Sequence, residues 1–358
     1  MKKNNNPILL KGNEATIYGA LLAGCDSFFG YPITPASEIA HTAALLFPRL
    51  GRVFLQAESE IAAINMVLGA SSAGRQSMTA SSGLGISLKQ ECVSYIATCN
   101  LPAVIVDIMR GGPGLGNIAP EQSDYNQVVK GGGHGNYKCI VIAPNSVQEM
   151  CDLTMLAFKL ADKYRTPVYV LTDGIIGQMM EAITLPDALG RREIPPWALA
   201  GTNETRNNYI TSIFLEPDDL ERVNIELQEK YARIQGAEQR YEKFDLEDAE
   251  LVITCYGIVS RISREVVISL RKQGFKVGLL RPITLFPFPK DVFVETASKD
   301  VEFLCVEMSN GQMIDDVRLS IQCSRPVHFL NRMGGNVPSK EEIEKKCLEL
   351  LRLRGGGK

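Results

Sequence analysis

The stretch Ala103–Met109, Ala-Val-Ile-Val-Asp-Ile-Met, constrains the fold more than any other part of the chain. It is apolar and rich in β-branched residues almost throughout, the pattern of a strand buried on both faces, and such strands belong to parallel sheets covered by helices above and below. The flanking sequence supplies those helices. Strands are expected at residues 27–30, 53–56, 78–81, 140–142 and 168–171, and helices at 13–22, 37–46, 59–73, 86–99 and 146–161. Asn13 is expected to cap the first helix and Gly24 to stop it. Strand and helix alternating at this spacing predict an α/β domain built on a doubly wound parallel sheet.

Periodicity fails between Leu185 and Glu247, where Pro186, Pro195, Pro196 and the polar run 202–208 mark an extended connector, closed by a charged helix at 218–241. Such a length is too great for a loop inside one compact domain. The expected organisation is therefore a first α/β domain over 1–185, a connector over 186–247 and a smaller α/β domain over 248–354. In the last, strands are expected at 251–255, 277–280, 303–306 and 327–330, and helices at 260–273, 289–297, 312–321 and 339–352. The glycine-rich tail 355–358 is expected to be disordered, and no internal repeat is present.

Composition excludes several classes. With 358 residues, 45% hydrophobic and 22% charged, the chain can bury a large core. A formal charge of −3 gives no electrostatic reason to bind nucleic acid. Met1–Asn6 is basic and polar, but only Ile8-Leu9-Leu10 precedes Lys11, short of a signal-peptide core, and no run reaches membrane-spanning length. The expectation is a cytoplasmic protein. None of the nine cysteines forms a CxxC pair, and Cys25, Cys139, Cys255 and Cys305 fall in apolar patterns as small buried hydrophobes. Zinc and iron–sulfur sites need thiolates grouped at short spacing, so neither is expected here, and His41, His134 and His328 are too scattered to form a metal site.

Four stretches can carry chemistry, and ligands of open α/β sheets bind beyond the carboxyl ends of the strands. The first is Gly30-Tyr31-Pro32-Ile33-Thr34-Pro35-Ala36-Ser37-Glu38, a strand-to-helix turn. Its prolines fix φ and hold Ile33 and Thr34 extended, with the Thr34 hydroxyl toward a ligand and Ser37 as the helix cap, although an ordinary rigid βα loop has the same residues. The second places Glu58 and Glu60 at a helix start. Helix-end electrostatics accounts for Glu58, whereas the apolar Ile61-Ala62-Ala63 that follows Glu60 favours burial, and a buried carboxyl can exchange a proton with a ligand's ring nitrogen.

The third is Arg110-Gly111-Gly112-Pro113-Gly114-Leu115-Gly116-Asn117. A guanidinium at a strand end grips carboxylates, and glycines let backbone N–H groups approach an anion; a merely flexible loop is the alternative. The fourth, Lys130-Gly131-Gly132-Gly133-His134-Gly135, reads equally as a bend that lets two backbones pack closely.

Together with Gly278-Leu279-Leu280-Arg281-Pro282 and Glu307-Met308-Ser309-Asn310-Gly311-Gln312-Met313, these motifs resemble the α-type subunit of 2-oxoacid:ferredoxin oxidoreductases over nearly the whole chain. The glycine loops are most similar to the branched-chain (2-oxoisovalerate) type, with 2-oxoglutarate and pyruvate as alternative substrates. The resemblance implies a thiamine-diphosphate pyrimidine-binding fold followed by a transketolase C-terminal-like domain. It implies oxidative decarboxylation of a 2-oxoacid to acyl-CoA, with CoA as co-substrate and electrons passing to ferredoxin. Glu60 would pair with N1′ of the aminopyrimidine, with Pro32 and Ile33 beside the cofactor. Thr34, Arg110, Gly111 and Gly112 would meet the oxoacid, Arg110 through its carboxylate.

The Gly-Asp-Gly…Asn signature that holds diphosphate and Mg²⁺ is not met. Thr172-Asp173-Gly174 with Asn203 lacks the first glycine and reads as a strand-end turn. Thiamine diphosphate is thus expected to be shared with a β subunit. Mg²⁺ and the iron–sulfur clusters would lie on partner chains, with γ and ferredoxin-like δ subunits completing the assembly. A transketolase-type homodimer and a non-catalytic organising subunit are the competing readings.

Overall fold

The computed structural model describes residues 6–355; residues 356–358 of the expected tail lie outside the described residues, while Gly355 ends a helix. The chain begins β1 (Ile8–Lys11), α1 (Gly12–Ala23), β2 (Ser27–Gly30), α2 (Ser37–Leu46), β3 (Val53–Gln56), α3 (Glu60–Ser72), β4 (Ser77–Ser81) and α4 (Leu84–Thr98). It continues through β5 (Ala103–Met109), β6 (Ile140–Ile142), α5 (Val147–Tyr164), β7 (Pro167–Asp173), α6 (Gly174–Gln178) and β8 (Met180–Ile183). After the connector come α7 (Pro217–Ala237), β9 (Tyr241–Phe244), β10 (Leu251–Thr254), α8 (Gly257–Lys272), β11 (Val277–Pro282) and β12 (Thr284–Phe286). Last are α9 (Lys290–Ala297), β13 (Glu302–Glu307), α10 (Met313–Ser320), β14 (Val327–Asn331) and α11 (Lys340–Gly355).

The main sheet has seven strands in the order β12-β6-β7-β5-β4-β2-β3. Strand β5 is central and every residue of it is buried, as its apolar pattern requires. Helices α1, α2, α5 and α6 pack together over one face, and α3 and α4 over the other, which gives the doubly wound arrangement. A second sheet of five strands, β14-β13-β10-β11-β9, is parallel except at its β9 edge.

Three short antiparallel additions depart from the all-parallel expectation. Strand β9 edges the second sheet, β1 pairs with β8, and β12 crosses back to pair with β6, Thr284 opposite Ile142. Strand β12 has only three residues, too few for a period to be read. Its crossing joins a segment from the second half of the chain to the first sheet.

Residues between β8 and α7 form no helix or strand. Their backbone is pinned at the helix C-termini, Leu189 N–H to Leu22 O and Leu199 N–H to Ser72 O, both at 2.8 Å. Trp197 stacks between Arg165 and Arg192, 4.4 and 5.9 Å from its ring. The connector therefore crosses the end of the sheet opposite the carboxyl ends of its parallel strands. No helix among the described residues is long and apolar enough to cross a membrane.

Lys11, not Asn13, is the N-cap of α1; the helix ends at Gly24 with φ 101°, as expected. Within α1, Gly19 touches α5 so closely that a Cβ there would collide with the Cys151 carbonyl oxygen. Gly→Ala in an open helix gains about 1 kcal/mol. Here the backbones must separate, so Gly19→Ala is expected to cost about 1–3 kcal/mol, read as a lower Tm in circular dichroism. A raised Tm would show that the α1–α5 contact tolerates a side chain.

Candidate active site

The turn after β2 is held from beneath. The Asn13 amide donates to Pro35 O at 2.8 Å and to Glu38 Oε2 at 3.0 Å, and the Gln178 amide donates to the same two acceptors at 3.1 and 2.8 Å. Burial raises the Glu38 carboxyl, but the Gln178 and Asn13 bonds and the Lys11 charge hold it below the usual range. Asn13 thus serves the turn and not its own helix. Two details differ from the sequence reading. Ala36 N–H donates to Ile33 O at 2.9 Å, so Thr34-Pro35 forms a turn and is not extended, and Ser37 is the first residue of α2 with Ala36 as the cap. Pro32 and Thr34 are exposed and Ile33 is half-buried.

Arg110 leaves the end of β5 and reaches this turn. Its Nη1 donates to Thr34 O at 2.9 Å and its Nη2 to Leu115 O at 3.3 Å. Among the described residues it makes no ion pair with a carboxylate. The guanidinium is therefore aimed by two backbone carbonyls and has no directly paired carboxylate among the described residues. Gly111 and Gly112 are a correction to the sequence reading, since their N–H groups are already used. Gly111 N–H donates to Ala119 O at 2.8 Å, and Gly112 N–H to Glu121 Oε2 at 2.7 Å. The anion that Gly112 approaches is the chain's own Glu121.

The other oxygen of the buried Glu121, Oε1, accepts Gly334 N–H at 2.7 Å. One carboxylate thus ties the glycine loop to the second unit, across a cleft of about 730 Å³ lined by Arg110, Gly112, Asp124 and Gln127 on one side and Gln312 and Gly334 on the other. Further bonds lock the same seam. Gln122 N–H donates to Met308 O at 2.8 Å while Met308 N–H donates to Gln122 Oε1 at 2.9 Å. Gln312 Nε2 donates to Ser123 O at 2.9 Å and its Oε1 accepts Asn126 N–H at 2.8 Å. The 307–313 motif can do this because the fully buried Glu307 accepts the N–H groups of Gln312, Met313 and Ile314 at 3.0, 3.1 and 2.9 Å.

Glu60 opens α3, whose cap is Ser59, with Ser59 Oγ accepting Ala62 N–H at 3.2 Å. Glu58 is exposed and Glu60 is buried. Beside Glu60 the chain has Gly85, where a Cβ would lie 2.7 Å from Glu60 Oε1. The Glu60 carboxylate accepts no hydrogen bond among the described residues. Behind it, the fully buried Lys89 donates to Glu60 O at 3.3 Å, and burial pushes its ammonium down to about 8, against the Glu60 charge. Lys89 was not readable as a site residue, because one lysine in a helical pattern looks like a solvated face.

The fourth stretch packs closely, as one of its two readings expects. A Cβ at Gly132 would lie 2.8 Å from Gln127 O, one at Gly133 would strike Gln90 O in α4, and Lys130 is paired with Asp316. Asp173 is consumed structurally, Oδ1 accepting Ile175 and Ile176 N–H at 3.1 and 3.2 Å and Oδ2 accepting Ile258 N–H at 2.9 Å. Around this end of the sheet Tyr31, Leu55, Ile61, Leu84, Leu115 and Ile118 expose large apolar side chains.

Residues 18–243 match the family described as "Pyruvate flavodoxin/ferredoxin oxidoreductase, thiamine diP-bdg", and residues 249–343 match "Pyruvate:ferredoxin oxidoreductase core domain II". The chain is 59% identical over 343 residues to the ketoisovalerate oxidoreductase subunit VorB of Methanothermobacter thermautotrophicus, covering 96% of this chain and 97% of that one. It is 40% identical over 321 residues to the 2-oxoglutarate synthase subunit KorA of Archaeoglobus fulgidus, covering 88% and 92%. The solved 2-oxoglutarate:ferredoxin oxidoreductase from Magnetococcus marinus, with 2-oxoglutarate, coenzyme A and succinyl-CoA bound, superposes with a TM-score of 0.87 at 28% identity. That superposition covers 96% of this chain and 65% of the other.

Glu121→Ala strands two backbone N–H groups in the seam, at about 1–3 kcal/mol each. Hydrogen exchange at 111–118 and 333–336 should accelerate together, and KM for the 2-oxoacid should rise about tenfold in the complete complex. Faster exchange in only one of the two segments would contradict the bridge.

Proposed function

The chain belongs to the pyruvate flavodoxin/ferredoxin oxidoreductase family as a subunit of a 2-oxoacid:ferredoxin oxidoreductase, and from that premise we propose that it binds a branched-chain 2-oxoacid through Arg110 and a thiamine pyrimidine through Glu60. The observation that carries the reading is Arg110, aimed by the Thr34 and Leu115 carbonyls and paired with no carboxylate among the described residues. A 2-oxoacid carboxylate takes a guanidinium in a planar, bidentate fork. Arg110 is the sole cation among the described residues lining the cleft, which supports a monocarboxylate over a dicarboxylate such as 2-oxoglutarate. The 59% identity to a ketoisovalerate subunit, against 40% to a 2-oxoglutarate one, supports the same choice.

Thiamine diphosphate, when bound, supplies the electron sink for loss of CO₂ from the oxoacid. The chain's own residues fit its aminopyrimidine. Glu60 is buried, its carboxylate has no donor among the described residues, and Gly85 lets α4 approach so closely that a Cβ there would lie 2.7 Å from Oε1. Glu60 would hold and exchange a proton at N1′, with Pro32 and Ile33 lining the approach. Thr34 contributes its exposed side chain beside the oxoacid, and Arg110 keeps the carboxylate oriented. The turn and glycine loop, fixed by Asn13, Gln178 and Glu121, keep these groups from relaxing when charge moves.

In this reading the diphosphate and its Mg²⁺ lie on a β subunit, since both Asp173 carboxylate oxygens are taken by backbone N–H groups. The iron–sulfur clusters lie on partner chains, because the cysteines here are scattered and seven of the nine are buried. CoA accepts the acyl group, ferredoxin receives the electrons, and γ and δ chains complete a cytoplasmic assembly. The apolar rim from Tyr31 to Ile118 supports burial of this face by another subunit.

Glu60→Gln keeps the shape of the side chain but cannot cycle a proton, so it should abolish most turnover while leaving assembly intact. Wild-type turnover in Glu60→Gln, with loss in Glu58→Gln, would reassign the acid. Arg110→Lys retains charge but loses the fork, and kcat/KM should fall about 10- to 100-fold for every 2-oxoacid. Unchanged steady-state kinetics would remove Arg110 from the substrate site.

A further inference from the structure

Asp107 lies in the central strand β5, fully buried, and neither of its carboxyl oxygens meets a hydrogen-bond donor among the described residues. An isolated ionised carboxylate in such a place is among the costliest groups a fold can bury. Asp124, in the segment after the glycine loop, is 9% exposed and lines the cleft. Its Oδ1 accepts Gln127 Nε2 at 2.8 Å, and its Oδ2 is buried without a donor. Asp107 lies opposite Ser81 of β4, two residues before Gly83, whose N–H donates to Asp124, and this places the two unpartnered carboxyls against one another. A single proton held between two such carboxyls, one donating to its ionised neighbour, relieves the burial cost of both.

The electrostatics follow from that placement. Burial, then the Asp124 charge and hydrogen bond, push Asp107 well above the carboxylate range. Burial pushes Asp124 up to about 6; donors from Gln127 and Gly83 and the Arg110 charge lower it, and the Glu121 charge raises it. The other titratable neighbours are Tyr169 in β7 and Tyr256 before α8, whose hydroxyls burial holds far above their usual range and so neutral. Near neutral pH the pair therefore holds one proton and one negative charge, and Arg110 is the cation that feels it.

We propose that Asp107 and Asp124 are a proton-sharing pair of positioning residues whose charge sets how strongly Arg110 grips an incoming carboxylate. The proposal rests on Arg110 being the oxoacid's anchor. Below about pH 6 the pair is neutral and the whole Arg110 field is offered to the substrate anion. Above it the pair is anionic, competes for that field and repels the carboxylate. KM should rise with pH through this window, while kcat, read at saturation, should change less.

The experiment measures KM and kcat for 2-oxoisovalerate in the complete complex from about pH 5 to about pH 8, for wild type, Asp124→Asn, Asp107→Asn and Arg110→Lys. Wild-type KM is expected to climb about tenfold. Asp124→Asn should flatten the profile at its low-KM end. Asp107→Asn places an amide donor against Asp124 and should shift the climb to lower pH. Infrared difference spectra of the wild-type complex should show a protonated-carboxyl band at neutral pH that Asp107→Asn removes, a readout independent of turnover. An Asp124→Asn profile identical to wild type, or no such band, overturns the proposal. If Arg110→Lys alone leaves KM unchanged, the anchor reading fails instead, and the infrared band still decides whether the pair shares a proton.

Discussion

The site depends on one carboxylate placed between two backbones. Glu121 accepts Gly112 N–H from the loop that carries Arg110 and Gly334 N–H from the second sheet's connections. A buried carboxylate without donors is costly, and so are buried backbone N–H groups without an acceptor. Each problem solves the other. The second unit is thereby more than a neighbour, since its Glu307 cap and the Met308 and Gln312 backbone and amide groups fix the segment 121–126. That segment in turn places Glu121 and Asp124.

The charges at this end of the sheet follow a common rule. The candidate ligand-facing groups lack a paired counter-charge or a donor among the described residues, whereas the side chains that brace the turn and the seam are hydrogen-bonded. Arg110 has carbonyls but no carboxylate, and Glu60 has no donor among the described residues. Asn13, Gln178, Glu121 and Glu307, by contrast, each make two or more hydrogen bonds. Lys89 behind Glu60 and the Asp107–Asp124 pair near Arg110 are buried ionisable groups with unusual affinities for protons, the kind of perturbation that accumulates at functional sites.

Much of this was legible in the sequence, for physical reasons. A period of two or a continuous β-branched run declares a strand, and the helices between them left an amphipathic or capped pattern, so the central strands and α3 through α5 stood where periodicity placed them. Arg110 and Thr34 could be singled out as candidates because each sits at a strand end or turn beside glycine or proline, and Glu60 because it opens a helix before an apolar run. What stayed hidden depends on contacts distant in sequence. Asn13 looked like a cap until α1 was placed under the Pro35 turn. Glu121 looked like any polar loop residue until Gly334, 213 positions away, came to its other oxygen. Strand β12 was too short to announce itself, and Gly111 and Gly112 had no sequence mark that their N–H groups would be taken.

The account's central claim is that Arg110, held open by the Thr34 and Leu115 carbonyls, receives the substrate's carboxylate. An experimental structure of the complete complex with 2-oxoisovalerate trapped before decarboxylation tests it most directly. The account predicts the carboxylate within hydrogen-bonding distance of the Arg110 guanidinium, with the Glu60 carboxylate against the pyrimidine ring of thiamine. A substrate carboxylate bound to a cation of another subunit, with Arg110 still on its two carbonyls and facing no ligand, would contradict it.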